Sequence, residues 1–509
     1  MRVAVSLVFF LLYLFLFIDI AGFFSQELMN VFTTLQFFPS LLSFAYSHEP
    51  ETLAGFILVL ILTFFFGRIY CSTLCPLGTM QDIILFVKRK IFRKKKFKLK
   101  KSMLWLGYSF AFLLCFQLFL GGNIIANLTE PFSLFGKITL GMISPVYVFA
   151  NNLLAGWLNE SGNYLFLQFD ARPFSGELFV FSLLFLLFFV VLNYFAGRFW
   201  CASLCPAGST LGFISKFSVF KIRIKEDACN HCNSCVRVCK SGCIDQKNFH
   251  VDMRRCILCF NCLQSCPEQG MVYSRNKTNT KSIPILNSQG NARREFFMSS
   301  SLAGFGIAGT LMNHKLKVES SRSKLPVSPP GSIGVHRFAD RCTACHQCVS
   351  QCPSGVLRPT LLEYGVTGMM IPKMDFTRSF CNYECSLCSQ ICPTRALLPL
   401  DNAEKKKTQI GIAIFEEKLC VVVTEGTDCG ACAEHCPTGA IEMINYKNGV
   451  LIPKVADEFC VGCGACEHAC PVRPVRSIII KSNETHLTAE LQESKAENKK
   501  IDYKVDFPF

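Results

Sequence analysis

The cysteines of this chain constrain its fold more than any other feature. Twenty-four of the 30 cysteines fall into six groups of four, all between residues 229 and 470. Four groups have the spacing C-x-x-C-x-x-C-x-x-x-C, which wraps three thiolates around one corner of a 4Fe–4S cluster and leaves a fourth further along the chain. These quartets are Cys229/Cys232/Cys235/Cys239, Cys256/Cys259/Cys262/Cys266, Cys342/Cys345/Cys348/Cys352 and Cys460/Cys463/Cys466/Cys470.

The other two quartets have a longer first gap but the same ending. Five of the six quartets end in Cys-Pro, and the first ends in Cys239 followed by Lys240. Zinc sites usually consist of two separated C-x-x-C pairs, and disulfide scaffolds are short secreted chains. The spacing therefore predicts six 4Fe–4S clusters and a chain that conducts electrons. The two stretched quartets are Cys381/Cys385/Cys388/Cys392 and Cys420/Cys429/Cys432/Cys436.

One quartet also matches a haem signal. Residues Cys342 to His346 read C-x-x-C-H, the attachment motif of c-type haem. A haem would leave Cys348 and Cys352 without a role, and the cluster interpretation accounts for all four cysteines.

The net charge fits a chain loaded with anionic clusters. The formal charge is +15 with cysteines counted as neutral. A cubane in the 2+ state with four thiolates carries −2, so six clusters would leave about +3. The basic residues are thus partly counter-charge, and because no nucleic-acid motif accompanies them, a nucleic-acid partner is not expected.

Four apolar stretches are long enough to span a bilayer. Residues 88–101 contain ten Lys or Arg and no acid, which predicts a cytoplasmic loop between the second and third spans. Counting from that loop predicts segments 24–52 and 122–176 outside the cytoplasm. Within those segments, 36–46 and 138–157 are apolar but interrupted by Pro39 and Pro145, and we expect them to be interfacial or packed against the bundle. The four predicted spans are 3–23, 53–69, 102–121 and 177–196.

The membrane part contains an internal repeat. Gly67–Thr79 and Gly197–Ser209 share the pattern G-R-x-x-C-x-x-x-C-P, and each follows an outward-to-inward span. An axis along the membrane normal would bring the two loops together at the cytoplasmic face. Their four cysteines could hold an additional metal cluster, act as redox-active thiols or be structural. They are Cys71, Cys75, Cys201 and Cys205.

The first two quartets lie about 27 residues apart, as in bacterial two-cluster ferredoxins. In that unit each run gives three ligands to one cluster and its fourth to the other. This predicts one cluster on Cys229, Cys232, Cys235 and Cys266, and a neighbour on Cys256, Cys259, Cys262 and Cys239. For the last four quartets, adjacent pairing and outer-with-inner pairing both remain open.

A candidate export signal lies between the second and third quartets. Arg293-Arg294 precedes a mildly apolar stretch that runs to Met312, which is typical of a twin-arginine export signal. No A-x-A-like cleavage site follows, so we expect 296–312 to be a fifth, retained span. Polar residues 313–331 predict a linker, and the charge-rich residues 483–509 predict a disordered tail.

These patterns predict an α-helical membrane bundle joined to α+β bacterial-ferredoxin-like domains. The expected order has six segments, with 213–295 in the cytoplasm and 313–509 in the periplasm. The segments are a membrane domain 1–212, a two-cluster domain 213–285, a signal and fifth helix 290–312, a linker 313–331, a four-cluster domain 332–482 and a tail 483–509.

The chain resembles a fusion of two ferredoxin families of periplasmic nitrate reduction. Residues 1–275 resemble NapH, a membrane quinol dehydrogenase component, in their four spans, two G-R-x-x-C-x-x-x-C-P loops and two quartets. Residues 290–482 resemble NapG and the related MauM in the twin arginine, the Pro329-Pro330-Gly331 segment and four quartets. The fusion itself and Lys240 depart from the family pattern.

The resemblance implies a polyferredoxin of the bacterial inner membrane that oxidises quinol, such as menaquinol. Its clusters would pass electrons to a periplasmic reductase or c-type cytochrome, and the quinone pool and further membrane subunits would be its other partners. An electron-donating maturation factor and an all-cytoplasmic polyferredoxin are the alternatives. Candidate proton acceptors near the outer face, none of them preferred, are Asp19, His48, Glu49, Glu51 and Glu130.

Overall fold

A helical N-terminal part is followed along the chain by two cysteine-rich α+β parts. The computed structural model describes residues 2–19, 24–92, 104–119, 122–160, 162, 167–169, 175–275, 325–365 and 368–491. The twin-arginine signal and the fifth span, predicted at 290–312, lie outside the described residues.

The helical part consists of twelve α-helices in the described residues, joined by one 3₁₀ turn at Pro50–Leu53 and by two π-helical segments, Thr139–Ile143 and Trp200–Leu204. The helices are α1 Arg2–Ile18, α2 Gln26–Thr34, α3 Phe37–Ser47, α4 Ala54–Phe66, α5 Tyr70–Thr73, α6 Pro76–Phe92, α7 Leu104–Phe119, α8 Ile124–Thr129, α9 Pro131–Ile138, α10 Ser144–Glu160, α11 Gly176–Ala196 and α12 Pro206–Ser215.

Two described helices are long and apolar enough to cross a membrane by length and composition. They are the continuous helix Pro131–Glu160 and α11, and the latter coincides with the predicted span 177–196. The pair α2 and α3, bent by 104°, would count as a third if taken as one span. The other predicted spans overlap shorter apolar helices, at Arg2–Ile18, Pro50–Phe66 and Leu104–Leu118.

Pro145, which interrupts the apolar stretch 138–157, does not break the helix. The helix is continuous from Pro131 to Glu160 and contains a π-helical segment at residues 139–143, directly before Pro145. In such a segment the regular backbone hydrogen-bond pattern is already shifted, and the missing N–H of Pro145 follows it. Pro39 lies in the first turn of α3, where the missing N–H of a proline removes no regular hydrogen bond.

The two cysteine-rich parts are built from short strands in two-stranded antiparallel pairs. The first part contains β1 Phe220–Ile224, α13 Ser234–Val238, β2 Ile244–Asp245, β3 His250–Val251, α14 Asn261–Gln264 and β4 Met271–Arg275, with β1 paired to β4 and β2 to β3. The second contains α15 Val335–Arg341, α16 Gln347–Ser350, β5 Leu357–Pro359, β6 Pro372–Met374, α17 Leu387–Gln390, α18 Asn402–Lys407, β7 Thr408–Phe415, α19 Val421–Glu425, α20 Ala431–Glu434, β8 Ile441–Asn445, β9 Leu451–Val455, α21 Ala465–Ala469 and β10 Ile478–Thr488, with pairs β5–β6, β7–β10 and β8–β9.

The second cysteine-rich part is larger than predicted at both ends. The carbonyl of Val327 accepts a bond from the Met374 amide at 2.9 Å, and Leu398 donates to Gly331 at 2.9 Å, so residues 325–331 pack on this part and are not a linker. Strand β10 continues to Thr488, so the disordered-tail prediction is wrong for 483–488. Residues 492–509 lie outside the described residues.

Helix α1 connects the two ends of the helical part. At its start, Arg2 donates to the Ser72 carbonyl at 3.1 Å. At its end, the carbonyls of Leu16 and Asp19 accept bonds from Gln351 of the second cysteine-rich part. With 1.5 Å per residue, Arg2 and Leu16 are about 21 Å apart along the axis. We call these the basic end and the far end.

The first cysteine-rich part packs on the basic end. Lys240 forms an ion pair with Asp82 of α6 at 2.8 Å, and Arg89 of the same helix donates to the Val238 carbonyl at 3.4 Å. Tyr273 of β4 donates to the Phe66 carbonyl at 2.9 Å. The two cysteine-rich parts therefore lie at opposite ends of the helical part.

Candidate iron–sulfur centres

The four regularly spaced quartets share one backbone conformation. In each, the residue two places after the first cysteine and the residue four places after it have positive φ. Such residues, rare outside glycine, turn successive backbone N–H groups toward one concave side, a geometry that binds anions. The left-handed residues are His231, Asn233, Leu258, Phe260, Ala344, His346, Gly462 and Gly464.

These loops direct backbone donors at sulfur. The amide of Ala344 donates to the Cys342 sulfur at 3.3 Å. In the last quartet both left-handed positions are glycines for a further reason: a Cβ on Gly464 would lie 2.0 Å from the Phe376 ring, and one on Gly462 would lie 2.5 Å from the Gly411 carbonyl oxygen. The loops thus combine anion-binding backbone with close packing, as a thiolate-held cluster requires.

In the first cysteine-rich part, the last cysteine of each quartet lies close to cysteines of the other quartet. Burial raises the pKa of Cys235, and the nearby charges of Cys229 and Cys266 raise it further. Burial raises the pKa of Cys262 to about 12, with Cys259 and Cys239 adding to the rise. We call these sets site I (Cys229, Cys232, Cys235, Cys266) and site II (Cys256, Cys259, Cys262, Cys239).

The third and fourth quartets exchange their last cysteines in the same way. Burial raises the pKa of Cys342 to about 12, and the charge of Cys392, the last cysteine of the fourth quartet, contributes. Burial raises the pKa of Cys381 to about 11, and Cys352 of the third quartet adds to it. The resulting sets are site III (Cys342, Cys345, Cys348, Cys392) and site IV (Cys381, Cys385, Cys388, Cys352).

The fifth and sixth quartets form the last pair. Cys420, Cys429, Cys432 and Cys470 line one small cavity. Burial raises the pKa of Cys463 to about 12, and Cys436 of the fifth quartet contributes. The sets are site V (Cys420, Cys429, Cys432, Cys470) and site VI (Cys460, Cys463, Cys466, Cys436). Of the two arrangements that the sequence left open, the thiols follow adjacent pairing.

The donor chemistry of these sets suits iron–sulfur clusters. Buried thiols with raised pKa values stay protonated until a positive core displaces the proton, which couples cluster binding to proton release. Within the described residues, no three potential ligands converge on one metal-sized position. The six sets are therefore defined by neighbouring thiols rather than by coordination geometry.

The four sites of the second cysteine-rich part follow one another in space. The amide of Cys381 in site IV donates to the Cys463 carbonyl in site VI at 2.9 Å. Because III is paired with IV and VI with V, the order is III, IV, VI, V. The haem interpretation of Cys342–His346 has no support here, since the His346 ring is buried and bonds to the Met370 carbonyl at 2.7 Å.

Site III lies against the far end of the helical part. A Cβ on Gly136 of α9 would be 2.2 Å from the Cys345 carbonyl oxygen. Asn127 of α8 donates to the Met369 carbonyl at 2.8 Å, and Cys345 shares an apolar cluster with Phe17 and Phe135. The backbone of this quartet thus touches the helices directly.

A buried lysine accompanies this contact, and the sequence analysis missed it. Lys137 is 1% exposed, and its Nζ donates to the Asn127 carbonyl at 2.6 Å. It is close enough to Cys342 and Cys345 to interact with them electrostatically. The sequence feature that could have indicated it is a single lysine within the apolar stretch that follows Pro131.

The five predicted proton acceptors have mainly structural contacts. Glu130 caps α9 by accepting bonds from the Phe132 and Ser133 amides. Asp19 accepts from the Phe24 amide at 2.9 Å. The structure does not bring the five together into one site: His48 ends α3 in a left-handed conformation, Glu49 pairs with Arg395 at 3.7 Å, and Glu51 is exposed.

The two repeat loops meet at the basic end. Cys71, Cys75, Cys201 and Cys205 are each 4–5% exposed and belong to one buried cluster. Arg68 and Arg198, the arginines of the two G-R-x-x-C motifs, are both fully buried beside them. The sequence analysis quoted these arginines only as part of the repeat.

Models of 4Fe–4S domain families match much of the chain. Models described as 4Fe-4S binding domains match residues 49–100 with 178–225, and residues 226–242. Models described as 4Fe-4S dicluster domains match 252–356, 341–397 and 427–473. The chain therefore carries several 4Fe–4S binding domains.

Individual relatives fall into two groups. An uncharacterized protein of Methanocaldococcus jannaschii, MJ0749, is 25% identical over 231 residues, 44% of this chain and 72% of the relative. The ferredoxin-type protein NapH of Haemophilus influenzae is 24% identical over 244 residues, 46% of this chain and 72% of NapH. The ferredoxin-type protein NapG of Escherichia coli is 28% identical over 187 residues, 34% of this chain and 78% of NapG. The predicted resemblance is confirmed: one polypeptide here combines similarity to NapH with similarity to NapG.

Proposed function

We propose that this chain is a membrane-bound polyferredoxin that takes electrons from quinol, such as menaquinol, and passes them through 4Fe–4S clusters to a periplasmic acceptor. The acceptor is a reductase or a c-type cytochrome. The observation that carries the proposal is the position of the two cysteine-rich parts at opposite ends of an apolar helical part, whose contacts at Arg2 and Leu16 of α1 are about 21 Å apart along the helix axis. A soluble ferredoxin needs no such separation.

The sidedness rests on charge. The basic run that begins at Lys88 continues from α6, at the end where Asp82 pairs with Lys240. Lysine-rich and arginine-rich loops stay in the cytoplasm, so sites I and II are cytoplasmic in this proposal. The four spans at 3–23, 53–69, 102–121 and 177–196 then carry the chain between the two faces.

The contacts of the second cysteine-rich part agree with a periplasmic position. Arg341 accepts a bond at its carbonyl from Asn123 at 3.0 Å and donates to the Tyr46 carbonyl at 3.4 Å. Arg395 pairs with Glu49 at 3.7 Å. These helical-part residues belong to segments 24–52 and 122–176, which charge counting assigns to the outside.

The connection between the two cysteine-rich parts has to pass from one end to the other. Arg275 ends β4 near Phe66 at the basic end, whereas the chain from Leu325 onward packs with residues of the far end. A twin-arginine signal followed by a retained span at 296–312 would make this passage. That route also exports a domain already folded around its clusters.

Oxidation of one quinol releases two protons and two electrons, and a 4Fe–4S cluster accepts one electron at a time. The two electrons therefore leave in succession. Sites III, IV, VI and V lead away from the helical part in that order, so site V is the exit to the acceptor. In this scheme the chain's residues hold the cluster thiolates, keep water from the buried sites and fix the contact at Gly136.

The test uses the full chain, purified without oxygen in detergent, with menaquinol as donor and a c-type cytochrome as artificial acceptor. Menaquinol should bleach the visible absorption of the clusters, and the cytochrome should restore it. The variant Cys429→Ser in site V should slow cytochrome reduction at least tenfold while the other clusters still bleach. Cys115→Ser, at an exposed position of α7, is the matched control.

Two outcomes would contradict the proposal. Clusters that dithionite reduces but menaquinol does not would exclude quinol as donor, and would favour a maturation factor fed by another reductant. Alkaline phosphatase fused after Leu491 should be active, since that enzyme works only outside the cytoplasm. An inactive fusion on a stable protein would make the chain an all-cytoplasmic polyferredoxin.

A further inference from the structure

The four cysteines of the repeat loops form a candidate metal site distinct from sites I–VI. We propose that Cys71, Cys75, Cys201 and Cys205 together hold a seventh 4Fe–4S cluster. The existence of this cluster is independent of the proposed function, whereas its role as a relay rests on it.

The two loops are interlocked across the repeat. Arg198 of the second loop donates to the Cys71 carbonyl of the first at 3.1 Å. Arg68 of the first loop donates in turn to the Cys201 carbonyl of the second. The four sulfurs interact electrostatically with one another within this arrangement. Each arginine therefore fixes the other loop's first cysteine.

Two equivalent glycines make this approach sterically feasible. A Cβ on Gly78 would lie 2.4 Å from the Cys71 carbonyl oxygen and 2.9 Å from the Arg198 guanidinium. A Cβ on Gly208 would lie 2.2 Å from the Cys201 carbonyl oxygen and 2.8 Å from the Arg68 guanidinium. Both loops are thus built for one symmetric, closely packed centre.

The buried positive charges beside the four cysteines favour a bound anion. Arg68 is fully buried, and in the described part of the chain its side chain bonds only to the Arg254 and Cys201 carbonyls and, at 3.8 Å, to the Cys71 sulfur. Arg198 pairs with Asp82 at 3.1 Å, and Asp82 is shared with Lys240. A buried cation without an anionic partner is strongly unfavourable.

A four-thiolate cluster supplies this anion. A cubane in the 2+ state with four thiolates carries −2, which supplies Arg68 with an anionic partner and adds to the negative charge that Asp82 gives Arg198. Two disulfides or four neutral thiols would supply no charge. Zinc with four thiolates has the same charge, but the segments that match a 4Fe-4S binding domain model, 49–100 and 178–225, contain these four cysteines and no others.

The location suits a relay between the cytoplasmic clusters and the helical part. Ser72, next to the first of the four cysteines, donates to the Leu258 carbonyl at 3.4 Å. Leu258 lies within the quartet of site II, and Arg68 bonds to Arg254 just before that quartet. The centre would accept one electron from a reduced neighbour and release one electron to the next carrier.

The test is the metal content of the full chain, purified without oxygen. With seven clusters the wild-type chain should contain about 28 iron and 28 sulfide, against about 24 of each for six. The double variant Cys75→Ser/Cys205→Ser should lose about four of each while keeping the electron paramagnetic resonance signals of sites I–VI. Cys115→Ser should lose none.

Loss of zinc in place of iron, or no loss at all, would overturn the proposal. If the double variant does not accumulate, the wild-type count decides alone, because about 24 iron with 24 sulfide and fully occupied sites I–VI excludes a seventh cluster. This readout does not involve quinol. A failed menaquinol assay with 28 iron present would therefore leave the seventh cluster standing and reject only the donor.

Discussion

Substitution of Gly136 by alanine would test the contact between α9 and site III. The added methyl group would lie 2.2 Å from the Cys345 carbonyl oxygen and 2.7 Å from the ring of Phe17. Ordinary contact begins near 3.4 Å, so the neighbours have to separate by about 1.2 Å. Phe17 is 1% exposed and packs against the Phe132 ring at a centroid distance of 5.3 Å. The ring cannot rotate away, and the Cys345 loop has to lift.

The energy of this change follows from two opposing effects. Overpacking of a filled contact costs about 1–3 kcal/mol, and alanine gains up to about 1 kcal/mol of helix propensity over glycine. The overpacking acts on the contact between two parts, so it lowers the equilibrium constant for docking by about 5-fold to 150-fold. Helix α9 itself gains from the propensity.

Hydrogen exchange measured by mass spectrometry should show faster exchange in the loop 342–352, and menaquinol should reduce site III more slowly. Gly156→Ala is the matched control: it lies further along the same continuous helix, where the nearest atom to an added Cβ is 3.9 Å away. This variant should be stabilised by about 0.5–1 kcal/mol with unchanged electron transfer. Wild-type exchange and wild-type rates in Gly136→Ala would refute the docking of site III on α9.

Three further predictions concern the second cysteine-rich part. Cys470→Ser should remove the same paramagnetic signal as Cys429→Ser, because both line the cavity of site V; loss of the site VI signal instead would contradict the exchange of ligands. Lys137→Met should lower the reduction potential of site III by about 50–100 mV in a redox titration, the effect of removing a unit charge roughly 10 Å away at an effective dielectric of about 20. Burial lowers the pKa of His486 to about 4, so the unfolded state takes up a proton before the folded state does as the pH falls from about 6.5 to about 4. The free energy of unfolding should therefore drop by up to about 3 kcal/mol in that window. His486→Gln should remove this drop in thermal unfolding, and an identical pH dependence in the variant would contradict the prediction.

The quartets were accessible to sequence reasoning because cluster loops depend on local spacing. Three cysteines that are each separated by two other residues lie on one tight turn, whatever surrounds them. Which quartet supplies the fourth ligand is a tertiary question. Spacing suggested the exchange between sites I and II, but the partner of Cys470 depended on how β7 and β10 bring the last two quartets together.

The boundaries of the second cysteine-rich part were harder to predict because the composition of its end segments is typical of linkers and disordered tails. Residues 325–331 are rich in Pro, Ser and Gly, which favours a linker, yet Ser328 is fully buried and bonds to His486 at 3.0 Å. Residues 483–488 are polar, yet they extend a strand whose partner β7 is largely buried. Polar segments with specific partners are indistinguishable from solvated ones in a single sequence.

The sequence did not reveal the residues whose role depends on their burial in the folded protein. Lys137 reads as an ordinary charge at the start of an apolar stretch, and only the packing of α8 and α9 against site III makes it a buried cation. Arg68 and Arg198 were visible as a repeated pattern, but their crossed bonds appear only when the two loops face each other. The repeated motif predicted that the two loops lie close together, but it did not predict the hydrogen bond that each arginine makes to the other loop.

The exchange of fourth ligands also determines the order in which the protein is assembled. Cys392 comes from the fourth quartet but completes site III, so site III cannot close until the chain has reached residue 392, four residues after Cys388 completes site IV. The same holds for Cys470 and site V. Clusters would thus enter in pairs, each pair locking two loops at once, and a chain halted between the members of a pair would hold incomplete thiolate sets. Loading and folding become a single event for each pair, and under the proposed export both events have to finish before that part of the chain leaves the compartment where clusters are made.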